Sequence, residues 1–394
     1  LYTIFGGMKS VLYTSVLQTP ILLLGSLIIL VLGFKELGGW DEMMRVCGAV
    51  TVNDYGDTMT NLIRSNDDAN FPWLGALIGS AIIGFWYWCT DQFIVQRVLS
   101  GKNEMEARRG TIFGAYLKLL PVFLFLIPGM IAFALHQKYI GAGGEGFLPM
   151  LANGTANADA AFPTLVAKLL PAGVKGLVVC GILAALMSSL ASLFNSSAML
   201  FTIDFYKRFR PETPEKKLVG IGQVATVVIV ILGILWIPIM RSVGDVLYTY
   251  LQDVQSVLAP GIAAAFLLGI CWKRTSAQGG MWGLIAGMVI GLTRLGAKVY
   301  YSNAGEVADS TFKYLFYDMN WLFFCGWMFL FCIIVVIVVS LATKAPTAEK
   351  IQGLVFGTAT KEQKAATRAS WNHWDIIHTV IILAITGAFY WYFW

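Results

Sequence analysis

Residues 319–343 read MNWLFFCGWMFLFCIIVVIVVSLAT, an apolar run long enough to cross a lipid bilayer as one α-helix. The run is continuous and lacks the alternation of a barrel strand, so it predicts a helix. Further runs of the same kind occur along the chain, which predicts an all-α polytopic membrane protein. We place nine spans at 10–34, 73–99, 111–136, 174–206, 217–240, 244–272, 278–298, 319–343 and 374–394.

The composition agrees with a surface that faces lipid. Of 394 residues, 57% are hydrophobic and only 13% are charged, whereas soluble proteins average about 25% charged residues because their surface faces water. The net charge of +5 is modest, and its placement in loops explains it better than a nucleic-acid surface does. The six cysteines form no CxxC or Cys/His spacing, so neither a disulfide framework nor a metal-ligand cluster is predicted.

Basic residues set the predicted orientation of the spans. They follow the second, fourth, sixth and eighth spans, whereas the loop 35–72 is acidic. Because basic loops stay in the cytoplasm, we expect the first span to begin inside and Trp394 to lie outside. The chain opens at Leu1 directly before a span, so we expect the start of the protein to be missing. The basic loop residues are Lys102, Arg108, Arg109, Lys207, Arg208, Arg210, Lys216, Lys217, Lys273, Arg274, Lys344, Lys350, Lys361, Lys364 and Arg368.

The second span carries an aromatic and polar cluster, WYWCTDQ at 86–92. Clustered polar groups inside hydrocarbon are costly and usually face a cavity. Tyr87 and Trp88 can stack on the apolar faces of a sugar, and Asp91 can bind its hydroxyl groups. The alternative is an aromatic belt at the membrane interface, which the midspan position disfavours.

Two other spans carry polar groups at membrane depth. Lys118 lies in the third span, where it snorkels to the cytoplasmic face, donates hydrogen bonds to a solute or pairs with a buried carboxylate. Pro121 and Pro128-Gly129 follow, and we expect them to weaken the helix and free backbone carbonyls there. The fourth span carries Ser188, Ser189 and Ser192. Small polar residues often allow close helix packing, but Ser hydroxyls with a loosened carbonyl also suit sodium, a hard cation that prefers oxygen ligands.

The sixth span opens with hydroxyl and amide residues, among them Gln252, and then reaches Ala259-Pro260-Gly261. We expect the helix to break at 259–261 and its polar half to line an aqueous cavity. No GxxxxGK[ST] loop is found, so ATP is not expected to drive transport. The three histidines lie near span ends, which favours sodium over protons as the coupling ion.

Long motifs occur in order along the chain. They are Gly6-Gly7, Tyr13-Thr14, Leu17-Gln18, 86–92 with Gln96-Arg97, 116–121, 188–196, 204–207, Gln252, Pro260-Gly261 and Trp272-Lys273-Arg274. Together they resemble the sodium/glucose cotransporter branch of the solute:sodium symporter family. The resemblance runs from Leu1 to about Gly287 and, more loosely, to Trp394.

The resemblance implies the five-plus-five inverted-repeat fold of the leucine-transporter type. Residues 1–34 are then the last helix of repeat one, and 35–72 form an extracellular loop. Repeat two follows at 73–272, and 273–394 are accessory helices with a cytoplasmic loop at 344–373. The first helices of the family are expected to be absent.

The resemblance also implies roles for single residues. Trp88, Lys118 and Gln252 contact the sugar, and Tyr87 closes the inner gate over it.

For the ion, the resemblance implies that Ser188 and Ser189 give hydroxyls, and Ala185 a backbone carbonyl, to the main sodium site. Where the family often has an Asp for a second sodium site, this chain has Ser15, which lacks the charge of a carboxylate. Ser192 alone would be a poor second site. We therefore expect one sodium ion per sugar.

These observations predict sodium-coupled symport of a hexose, such as glucose or galactose, by alternating access. The expected partners are Na⁺, the sugar and the bilayer, with no other cofactor, no nucleic acid and no enzyme activity. The expected location is the plasma membrane, or the inner membrane of a bacterium. Symport of inositol, sialic acid or an amino acid is one alternative, and a sugar-gated sensor or channel is another. A membrane enzyme is disfavoured, since no catalytic constellation is visible.

Overall fold

A computed structural model describes residues 2–151, 154–241, 247–304 and 308–394 of the protein, without the side chains of 2–15, 17, 239–241, 247–250 and 303. Helices account for almost all the regular structure of the described residues. They are α1 (Tyr2–Leu37), α2 (Trp40–Gly48), α3 (Trp73–Phe85), α4 (Gln92–Leu99), α5 (Glu104–Pro121), α6 (Ile127–Gly141), α7 (Ala161–Leu169), α8 (Ala172–Met199), α9 (Lys207–Phe209), α10 (Glu215–Arg241), α11 (Leu247–Cys271), α12 (Ala277–Asn303), α13 (Thr311–Lys313), α14 (Trp321–Ala342), α15 (Ala348–Ile351), α16 (Lys361–Ala369) and α17 (His373–Tyr392).

Within the described residues, nine helical segments are long and apolar enough to cross a membrane. They agree with the predicted spans in number and place, so the prediction of a helical membrane protein is confirmed. The segments are Gln18–Leu37, Trp73–Thr90, Glu104–Gly141, Ala172–Phe209, Glu215–Pro238, Leu251–Cys271, Ala277–Ser302, Trp321–Ala342 and His373–Tyr392.

The described chain divides into two compact units. The first comprises 1–52, 58–60 and 113–244, and the second comprises 53–57, 61–112 and 245–394. In the first unit α1 packs along α8, and α6, α7 and α10 pack around this pair. Its core includes the fully buried side chains of Ile29, Ile131 and Leu135. The predicted division into repeats stays a prediction.

In the second unit α11, α12 and α14 pack against one another, and α3 lies against α11 and α14. One face of α12 has a stripe without side chains, because a glycine occupies every fourth residue from Gly279 to Gly291. A Cβ on Gly287 would lie 2.8 Å from the Cα of Gly261, and one on Gly291 would lie 2.5 Å from the carbonyl oxygen of Val257. The stripe therefore lets α11 and α12 approach backbone to backbone. Its other members, Gly279 and Gly283, face α14.

The prediction that the sixth span breaks at 259–261 is wrong. α11 continues through Pro260 to Cys271. Proline removes one backbone hydrogen bond from a helix, but here the flanking residues are held by tight packing: Ala259 is fully buried and Gly261 contacts the Gly287 backbone. A break would open that helix contact, so packing outweighs the lost hydrogen bond.

Prolines do interrupt the third span. α5 ends at Pro121, a π-helical turn follows at Val122–Leu126, and α6 then completes the span. The expected weakening of the helix near Pro121 is therefore confirmed, in the form of a wider turn.

The acidic loop before α3 is ordered by its own side chains. Asp57 accepts hydrogen bonds from the Asn53 amide at 2.7 Å and from the Ser65 backbone N–H at 2.7 Å. The Asn53 hydrogen bond, followed by that from Ser65, holds the pKa of Asp57 below its usual value. The Asp57 carboxylate thus orders the loop through these hydrogen bonds.

Candidate functional site

The second span is interrupted at the aromatic cluster. α3 ends at Phe85, a π-helical turn covers Trp86–Thr90, and Asp91 adopts an extended conformation with ψ 119° before α4 begins. The Thr90 hydroxyl donates to the Trp86 carbonyl at 2.7 Å. A wide turn and an extended residue leave backbone groups outside the regular helical pattern, as in the discontinuous helices that form binding sites in transporters.

The side chains at this interruption differ in exposure. Tyr87 is half-buried and packs edge-on against Trp88, with ring centroids 5.1 Å apart and planes at 90°. Trp88 is 49% exposed and so presents a large aromatic face. The Asp91 carboxylate accepts the Phe93 backbone N–H at 3.0 Å and caps α4. Its predicted contact with a sugar stays a prediction, and the structure gives it a second role in the helix break.

Gln252 lies on a helix that packs against the same turn. α11 contacts both α3 and the Trp86–Thr90 turn, and Trp86 packs against a buried cluster that includes Ala259 of α11. Gln252 precedes Ala259 by seven residues, which is about 10 Å along the helix. Its side chain is half-buried, and its amide makes no hydrogen bond to a residue that the structure describes. Its predicted contact with a sugar stays a prediction.

A charged cluster beside Gln252 was missed by sequence reasoning. Asp253 lies 2.5 Å from Lys298 Nζ and 3.7 Å from Arg294 Nη2. Arg294 is 1% exposed, donates to the Met319 carbonyl at 2.8 Å and stacks on the Phe324 ring at 4.0 Å. The cluster ties α11 to α12 and α14 next to a candidate sugar contact. Its signal in the sequence was the presence of ionisable residues inside apolar spans.

The predicted sodium ligands lie on one stretch of α8 in the first unit. Ser188 and Ser192 are buried, Ala185 is half-buried, and Ser189 is exposed. Gly181, one turn before Ala185, packs against the backbone of α1, so this face of α8 is the one turned to α1. The structure thus groups Ala185 with Ser188 and Ser192 on the α1 side and places Ser189 at its edge.

The structure tells less about two other predicted site residues, Lys118 and Ser15. Lys118 has a partly buried side chain near the end of α5 in the first unit, whereas Tyr87, Trp88, Asp91 and Gln252 belong to the second unit. The side chain of Ser15 lies outside the described residues, so the second ion site stays a prediction.

The candidate cation ligands are uncharged oxygens. Across 2–151, 154–241, 247–304 and 308–394, no group of three or more His, Cys, Asp or Glu side chains could hold a metal ion. The candidate ligands on α8 are hydroxyl and carbonyl oxygens. Such hard, neutral ligands suit a monovalent cation better than a transition metal.

Comparison with known proteins gives consistent matches. The family model described as "Sodium:solute symporter family" matches residues 1–287. A sodium/mannose cotransporter from Bos taurus is 35% identical over 100% of this chain and 69% of its own length. Sodium/glucose cotransporter 1 from Ovis aries is 38% identical over 87% of this chain, and sodium/myo-inositol cotransporter 2 from Homo sapiens is 35% identical over 91%. This chain covers 54% of the length of each of the last two.

One solved structure is similar over most of the chain. It is the substrate-bound, outward-open state of a Na⁺-coupled sialic acid symporter, with a TM-score of 0.65 and 21% identity. The similarity covers 88% of this chain and 65% of that one. At this identity the match concerns the fold, and it confirms the predicted transporter fold.

Proposed function

Because the chain belongs to the sodium:solute symporter family, we propose that the complete protein couples the inward flow of sodium to uptake of a sugar. The chain spans 54–69% of the length of the relatives described above, so the activity of the whole protein is inferred from a part of it. The named relatives are cotransporters, which agrees with the expectation that the protein is not an enzyme.

One observation carries the proposal: an interrupted membrane helix, with an exposed Trp88, packs against the helix that presents the Gln252 amide. A neutral aromatic and amide surface suits a polyhydroxylated ring, because the aromatic face takes C–H groups and the amide takes hydroxyls. In our proposal Tyr87 and Asp91 border this surface. Lys118, which belongs to the first unit, is proposed separately as a hydrogen-bond donor to the sugar.

Sodium would bind α8 through the hydroxyls of Ser188 and Ser189 and the carbonyl of Ala185. Symport requires that sodium and sugar favour the same conformation, because a ligand shifts only the equilibrium between states it binds differently. A second sodium site would need an acidic residue at the position of Ser15, and Ser192 alone would bind a second ion poorly. We therefore propose one sodium ion per sugar.

Neutral sugars and inositols share the chemistry that this surface recognises. Mannose, glucose and myo-inositol appear in the names of the relatives, and we propose a hexose as the substrate. The proposed location is the plasma membrane, since the chain carries several membrane-spanning helices.

The test is uptake of radiolabelled solutes by the complete protein in proteoliposomes. We expect uptake of glucose, galactose or mannose under an inward sodium gradient, and only background uptake when choline replaces sodium. Competition by myo-inositol, sialic acid and proline ranks the alternative substrates. Equal uptake in sodium and choline would contradict the proposal.

A further inference from the structure

Gln18 on α1 holds a buried amide oxygen for which the described residues offer no partner. Its Oε1 is inaccessible to solvent and accepts no hydrogen bond from them. A buried carbonyl-type oxygen that is left unpaired is costly, so such groups in native proteins usually serve a ligand, an ion or a water. Gln18 took no part in the site described above.

The register of α1 against α8 follows from two close contacts. A Cβ on Gly25 would lie 2.8 Å from Val178 Cγ2, and a Cβ on Gly181 would lie 3.4 Å from backbone atoms of Leu22. Residue numbers fall along α1 as they rise along α8, so the helices are antiparallel. The two glycines also let the helix axes approach closely.

The same register brings Gln18 to the predicted sodium ligands. One turn beyond the contact between Leu22 and Gly181, Gln18 on α1 is level with Ala185 on α8. Gln18 is two turns from Gly25, which leaves it within about 20° of the direction in which Gly25 meets α8. Ser188 follows Ala185 on the same buried face of α8.

We propose that the Gln18 amide oxygen is a further ligand of the cation that binds α8 at Ala185, Ser188 and Ser189. This inference rests on the proposed function and names a residue that the proposal did not include. A neutral amide oxygen adds a strong dipole without a second charge, which suits a monovalent cation. The ion would then join α1 to α8, so its binding would stabilise the packed pair.

The experiment measures sodium binding without transport. The complete protein in detergent is heated at increasing NaCl concentrations, with choline chloride holding ionic strength constant, and no sugar is present. We expect a sodium-dependent rise in the melting temperature for the wild type. Gln18→Ala and the volume-conserving Gln18→Met should each need about tenfold more sodium for the same rise, as for loss of one contact to a charged ligand.

Two more variants separate a ligand role from a structural one. Gln18→Glu keeps the oxygen, so we expect sodium binding to persist and to become dependent on pH between about 4 and 7. Ser26→Ala removes a buried hydroxyl of α1, about 100° round the helix from Gly25, that likewise has no hydrogen-bond partner among the described residues. It should leave the sodium dependence unchanged.

The outcomes distinguish the inference from the function on which it rests. If the wild type responds to sodium and Gln18→Met responds at the same concentrations, Gln18 is not a ligand, although the proposed function stands. A ligand role for Gln18 is equally contradicted if Ser26→Ala weakens sodium binding as much as Gln18→Met. If the wild type shows no sodium response, the proposed function itself is contradicted.

Discussion

Asp253 is a single carboxylate placed between two cations at membrane depth. Removing it leaves the buried Arg294 and the half-buried Lys298 without a counter-charge, whereas removing Lys298 leaves a balanced pair. We expect Asp253→Asn to cost about 3 kcal/mol or more of stability, as for other buried pairs that lose one partner, and Lys298→Gln to cost much less. Thermal unfolding of the complete protein in detergent measures both.

The double variant provides the control for this asymmetry. Asp253→Asn with Lys298→Gln removes one charge of each sign, so it should be more stable than Asp253→Asn alone. A double variant that is less stable by the sum of the two single changes would show that the charges act independently.

Replacing Gln252 tests its proposed contact with the sugar. Losing an amide that bonds a hydroxyl leaves the substrate group unpaired, so Gln252→Ala should raise the KM for sugar about tenfold. The rise in melting temperature with sodium should be unchanged. Gln255→Ala, three residues along the same helix and also half-buried, is the matched control and should transport normally. Equal effects at both positions would count against a specific contact.

Much of the candidate site could be predicted from single residues. The sequence predicted Trp88, Gln252 and Ser188 as site residues, because they belong to polar and aromatic clusters inside apolar runs and clustered polar groups are costly in lipid. Asp253 and Arg294 carried the same signal and were overlooked, since each belongs to a different span and only the packed helices bring them together. The proposed role of Gln18 likewise depends on the register between two helices, which cannot be read from the sequence.

At the scale of elements, the glycine stripe of α12 determines how closely α11 can pack. Gly287→Ala would place a methyl group 2.8 Å from the Gly261 Cα, and such overpacking costs about 1–3 kcal/mol. Gly296 lies on the same helix with nothing within 4 Å of its Cβ position. Gly296→Ala should therefore be neutral or stabilising. Melting temperatures of the two variants give the comparison, and equal losses would contradict the close contact.

Helix interruptions were predicted unevenly, for a physical reason. The sequence marked Pro121 and Pro260 as weak points, yet only the first is followed by a wider turn. Pro260 remains helical because its neighbours Ala259 and Gly261 pack tightly against other helices. Helix propensity does not include such tertiary contacts. The π-helical turn at Trp86–Thr90 has no proline or glycine within it, so local sequence rules give no signal for it.

For the whole molecule, the number and places of the spans followed from hydrophobicity alone, because the bilayer admits few alternatives. The sequence pattern could not give the packing of helices within each unit, which depends on side-chain shape. Family membership and the transporter fold came from motifs, and the comparisons confirmed both.

We propose that sodium and sugar cross the membrane together, one for one. The most direct measurement records charge and radiolabelled sugar simultaneously in cells that express the complete protein, at fixed voltage with external sodium. We predict one positive charge per sugar molecule, and no sugar-induced current without sodium. A sugar-induced current without entry of labelled sugar would contradict symport and indicate a sugar-gated channel or sensor.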